Sequence, residues 1–228
     1  MRLVFAGLES CLDLRPGECS TLCVLDETLF TRIALSLMLG EGRNALEPYS
    51  FWADDTEVRP KDSLLFIASP LELPWNDKGI SSAITKRLER DYLADEDMRQ
   101  VVEKAREAVN SQLLSLGLDF DSDYSLGLEW DFKKLLKFAG FEVSYQQEKT
   151  FLDNLLNFLS LMSDAGDGRV ACFVNLKNFL SKSEFGSFLE HIFYLKTSVL
   201  LLENKQVSTR FDNERKLTID QDFLENYA

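Results

Sequence analysis

Three aspartates at every second position form the densest group of possible metal ligands in the chain. They are Asp119, Asp121 and Asp123, in the segment LDFDSDYSLGLEWD that spans residues 118–131. In an extended backbone, side chains at positions i, i+2 and i+4 point to the same side, so the three carboxylates can converge. Convergent carboxylates repel one another unless a cation lies between them. The spacing therefore indicates either a cation site or a solvated acidic loop.

Calcium is the cation that fits this group best. It accepts about 6–8 oxygen ligands in irregular mixtures, whereas zinc prefers nitrogen or sulfur. The match to an EF-hand is partial: with Asp119 as position 1, Tyr124 stands where glycine is needed and Trp130 where glutamate is needed. Glu129, next to Trp130, is a further candidate ligand. On spacing alone a solvated acidic loop is favoured over a metal site, and both stay open.

Two groups of basic residues flank the acidic segment. The first lies before it and the second after it: Lys86, Arg87 and Arg90, then Lys133, Lys134 and Lys137. Lys133 and Lys137 share a helix face at i, i+4. No aromatic residues interleave with them, so they do not resemble a platform for single-stranded nucleic acid. Such groups are either ordinary solvated helix faces or sequence-independent contacts with the phosphates of duplex DNA.

The elements around these residues predict an α/β core interrupted by helices. Continuous apolar runs at Leu64–Ala68, Val170–Val174 and Val199–Leu202 predict buried parallel strands. We also expect a strand at Phe141–Tyr145 and an edge strand at Lys216–Ile219. The segment 81–116 contains neither proline nor glycine and predicts one long helix, or two in line.

Composition and motifs exclude several classes of protein. The net charge of −13 argues against DNA binding through overall charge. No apolar stretch reaches the ~20 residues of a membrane span, and no signal peptide is evident, so we expect a cytoplasmic protein with reduced cysteines and no membrane partner. The phosphate-loop motif G-x-x-x-x-G-K-[ST] is absent, and Asp26 and Glu27 follow the predicted strand Thr21–Leu25 where such a loop would stand. With His191 as the only histidine, no convincing catalytic group is evident.

Several segments together resemble a known family. FVNLKNFLSKSEFGSFLEHIFYLKTSVLLLENK at 173–205, the LDFDSD loop followed by a helix and AGFEV, and the closing KLTIDQDFLE are similar to the small adaptation protein of type II-A CRISPR systems, the Csn-two family. The resemblance is clearest from about Leu113 onward.

The resemblance implies a fold and an arrangement of domains. Residues 1–75 and 141–228 would form an α/β head with a degenerate P-loop-like, mostly parallel sheet. Residues 76–140 would form an α-helical leg with the acidic calcium loop at 118–131.

The resemblance also implies a function without catalysis. Family members are similar in forming a homotetrameric ring, binding Ca²⁺ and encircling double-stranded DNA that they enter from its ends. They act in spacer acquisition with the CRISPR integrase and the effector nuclease. Asp119, Asp121 and Asp123 match the family's calcium loop, and Lys137 matches a basic position facing the ring's interior. The stretch between Asp123 and the next helix is longer here than in the family pattern. The resemblance therefore does not carry a ligand role over to Glu129.

Two other classes of function remain as alternatives. One is a metal-dependent nuclease that uses Asp119, Asp121 and Asp123 with Mg²⁺. The other is a protein-interaction scaffold that does not bind DNA.

Overall fold

The structure is a computed structural model that describes residues 1–116, 122, 131–205 and 211–227. It divides into two compact units. Unit 1 contains residues 1–75 and 145–228, and unit 2 contains residues 76–144. Among the described residues, no helix combines the length and the apolarity that a membrane span requires.

Unit 1 contains all the strands that the structure describes. In chain order its elements are β1 (Arg2–Phe5), β2 (Cys11–Asp13), β3 (Cys19–Val24), α1 (Glu27–Leu39), β4 (Tyr49–Ala53), β5 (Thr56–Val58), α2 (Pro60–Ser63) and β6 (Leu64–Ile67), followed after residue 144 by α6 (Phe151–Asp164), β7 (Val170–Val174), α7 (Lys182–Leu195), β8 (Val199–Glu203), β9 (Glu214–Ile219) and β10 (Glu225–Tyr227). Unit 2 contributes α3 (Lys78–Ala94), α4 (Glu96–Leu116) and α5 (Phe132–Phe138).

The larger sheet of unit 1 has the strand order β10-β9-β3-β8-β7-β6. All neighbours in it are parallel except β10, which pairs antiparallel with β9. The apolar runs predicted to be parallel strands are β6, β7 and β8, and every residue of β8 is buried. The predicted α/β fold with a mostly parallel sheet is confirmed for this part of the molecule.

A second, antiparallel sheet with the order β2-β1-β4-β5 covers one face of the larger sheet. Leu3, Phe51 and Tyr49 from the small sheet share one core with Leu22 and Leu202 of the large sheet. Each such buried side chain contributes roughly 1.5–3 kcal/mol by leaving water. Helix α1 packs Ile33 and Leu37 into the same core.

The opposite face of the large sheet carries α6 and α7. Both helices begin with a capping box, Thr150 with Asp153 and Ser181 with Glu184, as their spacing in the sequence predicts. The aromatic ring of Phe173 in β7 meets that of Phe188 in α7 edge-on, with the centroids 6.3 Å apart. The large sheet therefore lies between two hydrophobic cores.

Unit 2 is helical throughout its regular elements. The segment predicted as one long helix or two in line forms two helices, because Asp95 has an extended backbone with φ −98° and ψ 100°. The Asp95 carboxylate then accepts a hydrogen bond from the backbone N–H of Met98 at 2.9 Å, which starts α4. No residue of α4 is fully buried.

Two sequence expectations about strands are wrong. Residues 141–145 form no strand, although their residues alternate between apolar and polar, because they meet no partner strand among the described residues. The strand predicted at the edge, β9, lies between β3 and β10. The edge position belongs to β10, a strand of three residues that the sequence pattern does not reveal.

Candidate nucleic-acid interface

Helix α5 presents the second predicted basic group on its exposed side. Asp131 begins the helix, and its carboxylate accepts a hydrogen bond from the backbone N–H of Lys134 at 2.7 Å. Phe132 and Leu135 are half-buried within unit 2. The three lysines of the helix are exposed: Lys133, Lys134 and Lys137. Because no acidic residue occurs between Phe132 and Phe138, the helix itself offers these lysines no carboxylate.

The first predicted basic group lies on α3, and it is less purely basic. Lys86, Arg87 and Arg90 are exposed. Asp91 lies 3.1 Å from Arg90 and 3.9 Å from Arg87, measured from carboxylate oxygen to guanidinium nitrogen. Exposed ion pairs of this kind are weak and exchange with solvent. The group can therefore contact an anion, but Asp91 offsets part of its charge.

A stacked pair of aromatic rings brings α3 and α5 together. The rings of Tyr92 and Phe132 lie 4.7 Å apart between centroids with an interplanar angle of 20°. Arg90 is two residues before Tyr92, and Lys133 is the residue after Phe132. One member of each basic group, Arg90 and Lys133, therefore lies within one helical turn of the same contact.

The predicted calcium ligands Asp119, Asp121, Asp123 and Glu129 lie outside the described residues. Among the residues described, no group of three or more His, Cys, Asp or Glu side chains is arranged to hold a metal ion. The segment that carries the predicted ligands follows the carboxyl end of α4, where the helix dipole favours a cation. Four carboxylates are also the hard oxygen donors that calcium takes. The donor chemistry fits the ion.

The position of a phosphate loop, between β3 and α1, is occupied by a short acidic connection. Asp26 caps α1: its carboxylate accepts a hydrogen bond from the backbone N–H of Leu29 at 2.7 Å. A bound phosphate would need such amide groups at the helix N-terminus, and would be repelled by Asp26 and Glu27. One amide of this helix end is therefore already engaged, and the two carboxylates disfavour a nucleotide phosphate there.

Two further polar side chains at the carboxyl edge of the sheet also bond within the protein. Asn175, at the end of β7, accepts a hydrogen bond from the backbone N–H of Asn204 at 3.1 Å. Asp220, after β9, accepts hydrogen bonds from the backbone N–H groups of Asp222 and Leu224, each at 2.9 Å. Ligands of open α/β sheets usually bind at this edge. Here the edge is largely filled by the protein's own side chains.

A buried polar cluster lies on the face of the large sheet that α7 covers. Lys177 forms an ion pair with Glu214, and the two side chains are only 8% and 3% exposed. Thr21 donates a hydrogen bond to the same carboxylate, and the ammonium group of Lys177 lies 4.8 Å from the ring centroid of Phe185. A buried pair of this kind is held by its hydrogen bonds, and removing one partner leaves an uncompensated charge.

A second carboxylate joins this cluster without a cation of its own. Glu203 is buried at the end of β8 and accepts a hydrogen bond from the backbone N–H of Lys177 at 3.1 Å. Burial raises the pKa of Glu203 to about 7, against the opposing effects of the Lys177 N–H and ammonium groups. One buried lysine is thus shared by two carboxylates, of which one holds a proton up to near neutral pH.

A search against family models gives a match over residues 47–223 to the family described as CRISPR-associated protein (Cas_Csn2). The chain belongs to this family. The matched range spans more than three quarters of the chain and includes both basic groups and the acidic segment. The predicted resemblance to type II-A CRISPR adaptation proteins is confirmed, over a longer part of the chain than the quoted motifs covered.

A solved structure is similar to this family member along its whole length. It is the crystal structure of Stu0660 of Streptococcus thermophilus, with a TM-score of 0.61 and 15% sequence identity. The alignment covers 100% of this chain and 76% of that chain. At this identity the similarity establishes the fold. No curated protein matches the chain in sequence.

No sequence motif reveals the buried cluster of this Csn2-family chain. Its members, Thr21, Lys177, Glu203 and Glu214, come from four distant places in the sequence. The available signal was a charged residue directly adjoining a continuous apolar run, as in VLLLE, where Glu203 is the last residue of a fully buried strand. A charge in that position has to find a partner inside the fold.

The remaining reactive side chains are accounted for by packing. His191 is half-buried between α6 and α7, with its Nε2 atom 3.0 Å from Ser160 Oγ and 3.1 Å from the carbonyl oxygen of Leu156. Cys19 and Cys23 are free thiols on β3, and burial raises the pKa of each. These thiols are small buried side chains.

Proposed function

We propose that this CRISPR adaptation-associated protein is a non-catalytic, calcium-dependent binder of double-stranded DNA ends that acts in spacer acquisition as a ring of four subunits. The observation that carries the proposal is the exposed face of α5, where three lysines lie on a helix that has no acidic residue. Family membership places the chain in CRISPR adaptation. The integrase and the effector nuclease of that system are the proposed protein partners.

Binding through α5 would be independent of base sequence. Lysine makes point-charge contacts with phosphates, and such contacts release counterions and fall steeply with salt. A net charge of −13 opposes this in one subunit. Four copies that face their lysines toward one duplex would concentrate positive charge there and leave the acidic excess outside.

Calcium would act as a structural ion in this proposal. Asp119, Asp121, Asp123 and Glu129 would hold it, and it would neutralise and cross-link their carboxylates. The described ends of the segment are the carboxyl end of α4 and the Asp131 cap of α5. A calcium ion that held this segment in place would therefore also fix the position of the start of α5 and of its lysines.

The absence of catalysis is supported by the sheet edge. The Asp26 carboxylate occupies the Leu29 amide in the first turn of α1, and Asn175 and Asp220 are engaged in backbone hydrogen bonds. A phosphate group has no amide cradle there. Cleavage of linear DNA by the pure protein with Mg²⁺ or Mn²⁺ would contradict this part and favour the nuclease.

The lysines are tested by a charge-matched pair of variants. Lys133→Gln with Lys137→Gln should lower the affinity for a 40-base-pair duplex at least tenfold and reduce the slope of log K against log salt by about 1 for each phosphate that is no longer neutralised. Lys149→Gln with Lys182→Gln removes the same charge from exposed positions of unit 1 and should change the affinity less than twofold. Equal losses of affinity in both variants would show that the lysines of α5 affect DNA binding only through the net charge of the protein.

End recognition and calcium are tested separately. Linear DNA should bind, and covalently closed plasmid of the same sequence should not; equal binding would remove threading from the proposal. In sedimentation, calcium should shift the protein to four subunits, and Asp121→Asn should weaken that shift. A protein that stays a single subunit in excess Ca²⁺ would contradict the ring.

A further inference from the structure

The turn between β9 and β10 exposes two adjacent large apolar side chains. Phe223 and Leu224 are 60% and 62% exposed. Tyr227, on the edge strand β10, adds a side chain that is 53% exposed. Single exposed apolar residues are ordinary on a protein surface, but a contiguous group with a polar rim is typical of an interaction site.

The backbone at Phe223 is in a conformation that a bulky residue rarely adopts. Its φ is +61°, in the left-handed region that favours glycine. Asp220 holds this turn: its side chain accepts the N–H groups of Asp222 and Leu224, and its carbonyl oxygen accepts the N–H of Phe223 at 3.2 Å. A mostly exposed phenylalanine gains little packing in return for this strain. The turn therefore holds the backbone at Phe223 in a fixed conformation with the aromatic side chain toward solvent.

A second turn is fastened beside the first, although the two are more than 200 residues apart in the chain. The carboxylate of Glu225 accepts hydrogen bonds from the backbone N–H groups of Glu9 and Ser10, at 2.7 and 2.8 Å. Tyr227 donates from its hydroxyl to the carbonyl oxygen of Cys11 at 2.9 Å. Burial alone would raise the pKa of Glu225, but hydrogen bonds from the Ser10 side chain and from the backbone amides of Glu9 and Ser10 lower it overall, so the carboxylate stays ionised in this contact at neutral pH.

The charged residues of these two turns are all acidic, whereas Arg215 lies near Tyr227 at the other end of β10. Neither residues 3–14 nor residues 217–227 contain a lysine or an arginine, and the exposed side chains among them include Glu9 and Asp222. Nucleic acids and anionic lipid surfaces are repelled by such a rim. A second copy that docked through the same surface is also disfavoured, because it would bring the exposed carboxylates of the two surfaces together.

We propose that the β9–β10 turn and the β1–β2 turn form a docking surface for a basic protein partner, in which Phe223 and Leu224 insert into an apolar pocket rimmed by lysine or arginine. An aromatic anchor inside a charged rim is the usual arrangement of an interface hot spot. The charged rim adds attraction and selectivity. The two apolar side chains supply the contact area from which water is excluded on binding. This surface belongs to unit 1 and does not depend on DNA binding by α5.

The anchor is tested with a defined probe, a fluorescent amphipathic 20-residue peptide of lysine and leucine, titrated with the full chain at 0.15 M salt. The variant Phe223→Ser with Leu224→Ser should bind at least tenfold more weakly than the unchanged protein. The control Leu46→Ser with Leu71→Ser alters two side chains that are each 59% exposed elsewhere on unit 1, and should bind within twofold. A peptide of lysine and serine should bind at least tenfold more weakly than the lysine–leucine peptide.

Phe223→Gly separates a binding role from a structural one. Glycine adopts φ +61° without strain, so the urea midpoint should rise or stay unchanged while peptide binding falls about tenfold. A fall in the midpoint with binding intact would make Phe223 a structural residue and overturn the proposal. Equal binding by the double serine variant, or a change in its sedimentation that reveals contact with a second copy, would also overturn it.

Discussion

The two units differ in the burial of the charged side chains that matter most here. In unit 1 the polar groups at the sheet edge and beneath α7 are largely engaged within the protein, as Asp26, Asn175 and the Lys177–Glu214 pair show. In unit 2 the lysines of α5 remain at the surface. A group already bonded within its own fold is unavailable to a ligand without a loss of stability. The buried charges of unit 1 therefore hold its fold, whereas the lysines of α5 are exposed where a partner can reach them.

The largest expected effect comes from breaking the buried pair of unit 1. Lys177→Met should lower the free energy of unfolding by about 3–5 kcal/mol, because Glu203 and Glu214 would share a buried site without a cation. Urea unfolding followed by circular dichroism measures this. The double variant Lys177→Met with Glu214→Gln should recover much of the loss, and Lys149→Met, at an exposed position, should change stability by less than about 0.5 kcal/mol. A loss below about 1 kcal/mol for Lys177→Met would show that the pair is solvated and the contrast between the units is weaker.

Glu203 provides the next largest effect, and it depends on pH. A carboxyl group whose pKa rises from its ordinary 4.5 to about 7 on folding binds its proton more tightly in the folded protein. Its contribution to stability is therefore complete below pH 4.5 and is lost as the pH rises to 7. At about 1.4 kcal/mol for each pH unit, that loss amounts to about 3 kcal/mol. Glu203→Gln should be more stable than the unchanged protein at pH 8 by up to this amount, and the two should converge at pH 4.5.

Urea unfolding at pH 4.5, 6 and 8 tests this sign directly. Glu190→Gln, at an exposed position on α7, serves as the control and should show no such divergence. If the difference between Glu203→Gln and the unchanged protein were the same at every pH, Glu203 would not be the proton-binding group of the cluster.

Elements that depend on local sequence patterns are predictable from this sequence, whereas features that depend on tertiary contacts are not. Strands β7 and β8 are continuous apolar runs, and the two capping boxes are local patterns, so both kinds of element are predictable. Strands β2, β5 and β10 contain three residues each and form because a neighbouring strand pairs with them. The cluster of Lys177, Glu203 and Glu214 is created by tertiary packing, which periodicity does not encode. The lysines of α5 were predictable as a group, and the predicted metal ligands stay a prediction.

Variants of the α1 cap test what prevents phosphate binding at the β3–α1 connection: the single carboxylate of Asp26 or the residues of the whole connection. Asp26→Ala should cost about 1 kcal/mol of stability through loss of the cap, whereas Asp26→Asn keeps an acceptor and should cost a few tenths. Neither variant should bind ATP in calorimetry at millimolar concentration, because the connection contains no glycine-rich cradle and no lysine. Millimolar binding by Asp26→Asn would show that a single carboxylate suppresses a phosphate site.

The smallest expected effect concerns the acidic residue that offsets part of the charge of the basic group on α3. Asp91 lies near both Arg87 and Arg90, so Asp91→Asn should free positive charge on α3 while changing stability by less than about 0.5 kcal/mol. If α3 contacts duplex phosphates as proposed, the affinity for DNA should rise about twofold to fivefold in 0.1 M salt, and this gain should shrink as salt is added. Asp97→Asn, which removes the same charge from an exposed position of α4, is the matched control and should give a smaller gain. Equal gains from both variants would mean that α3 acts only through the net charge of the protein. Direct contact with DNA phosphates by unit 2 would then be left to α5.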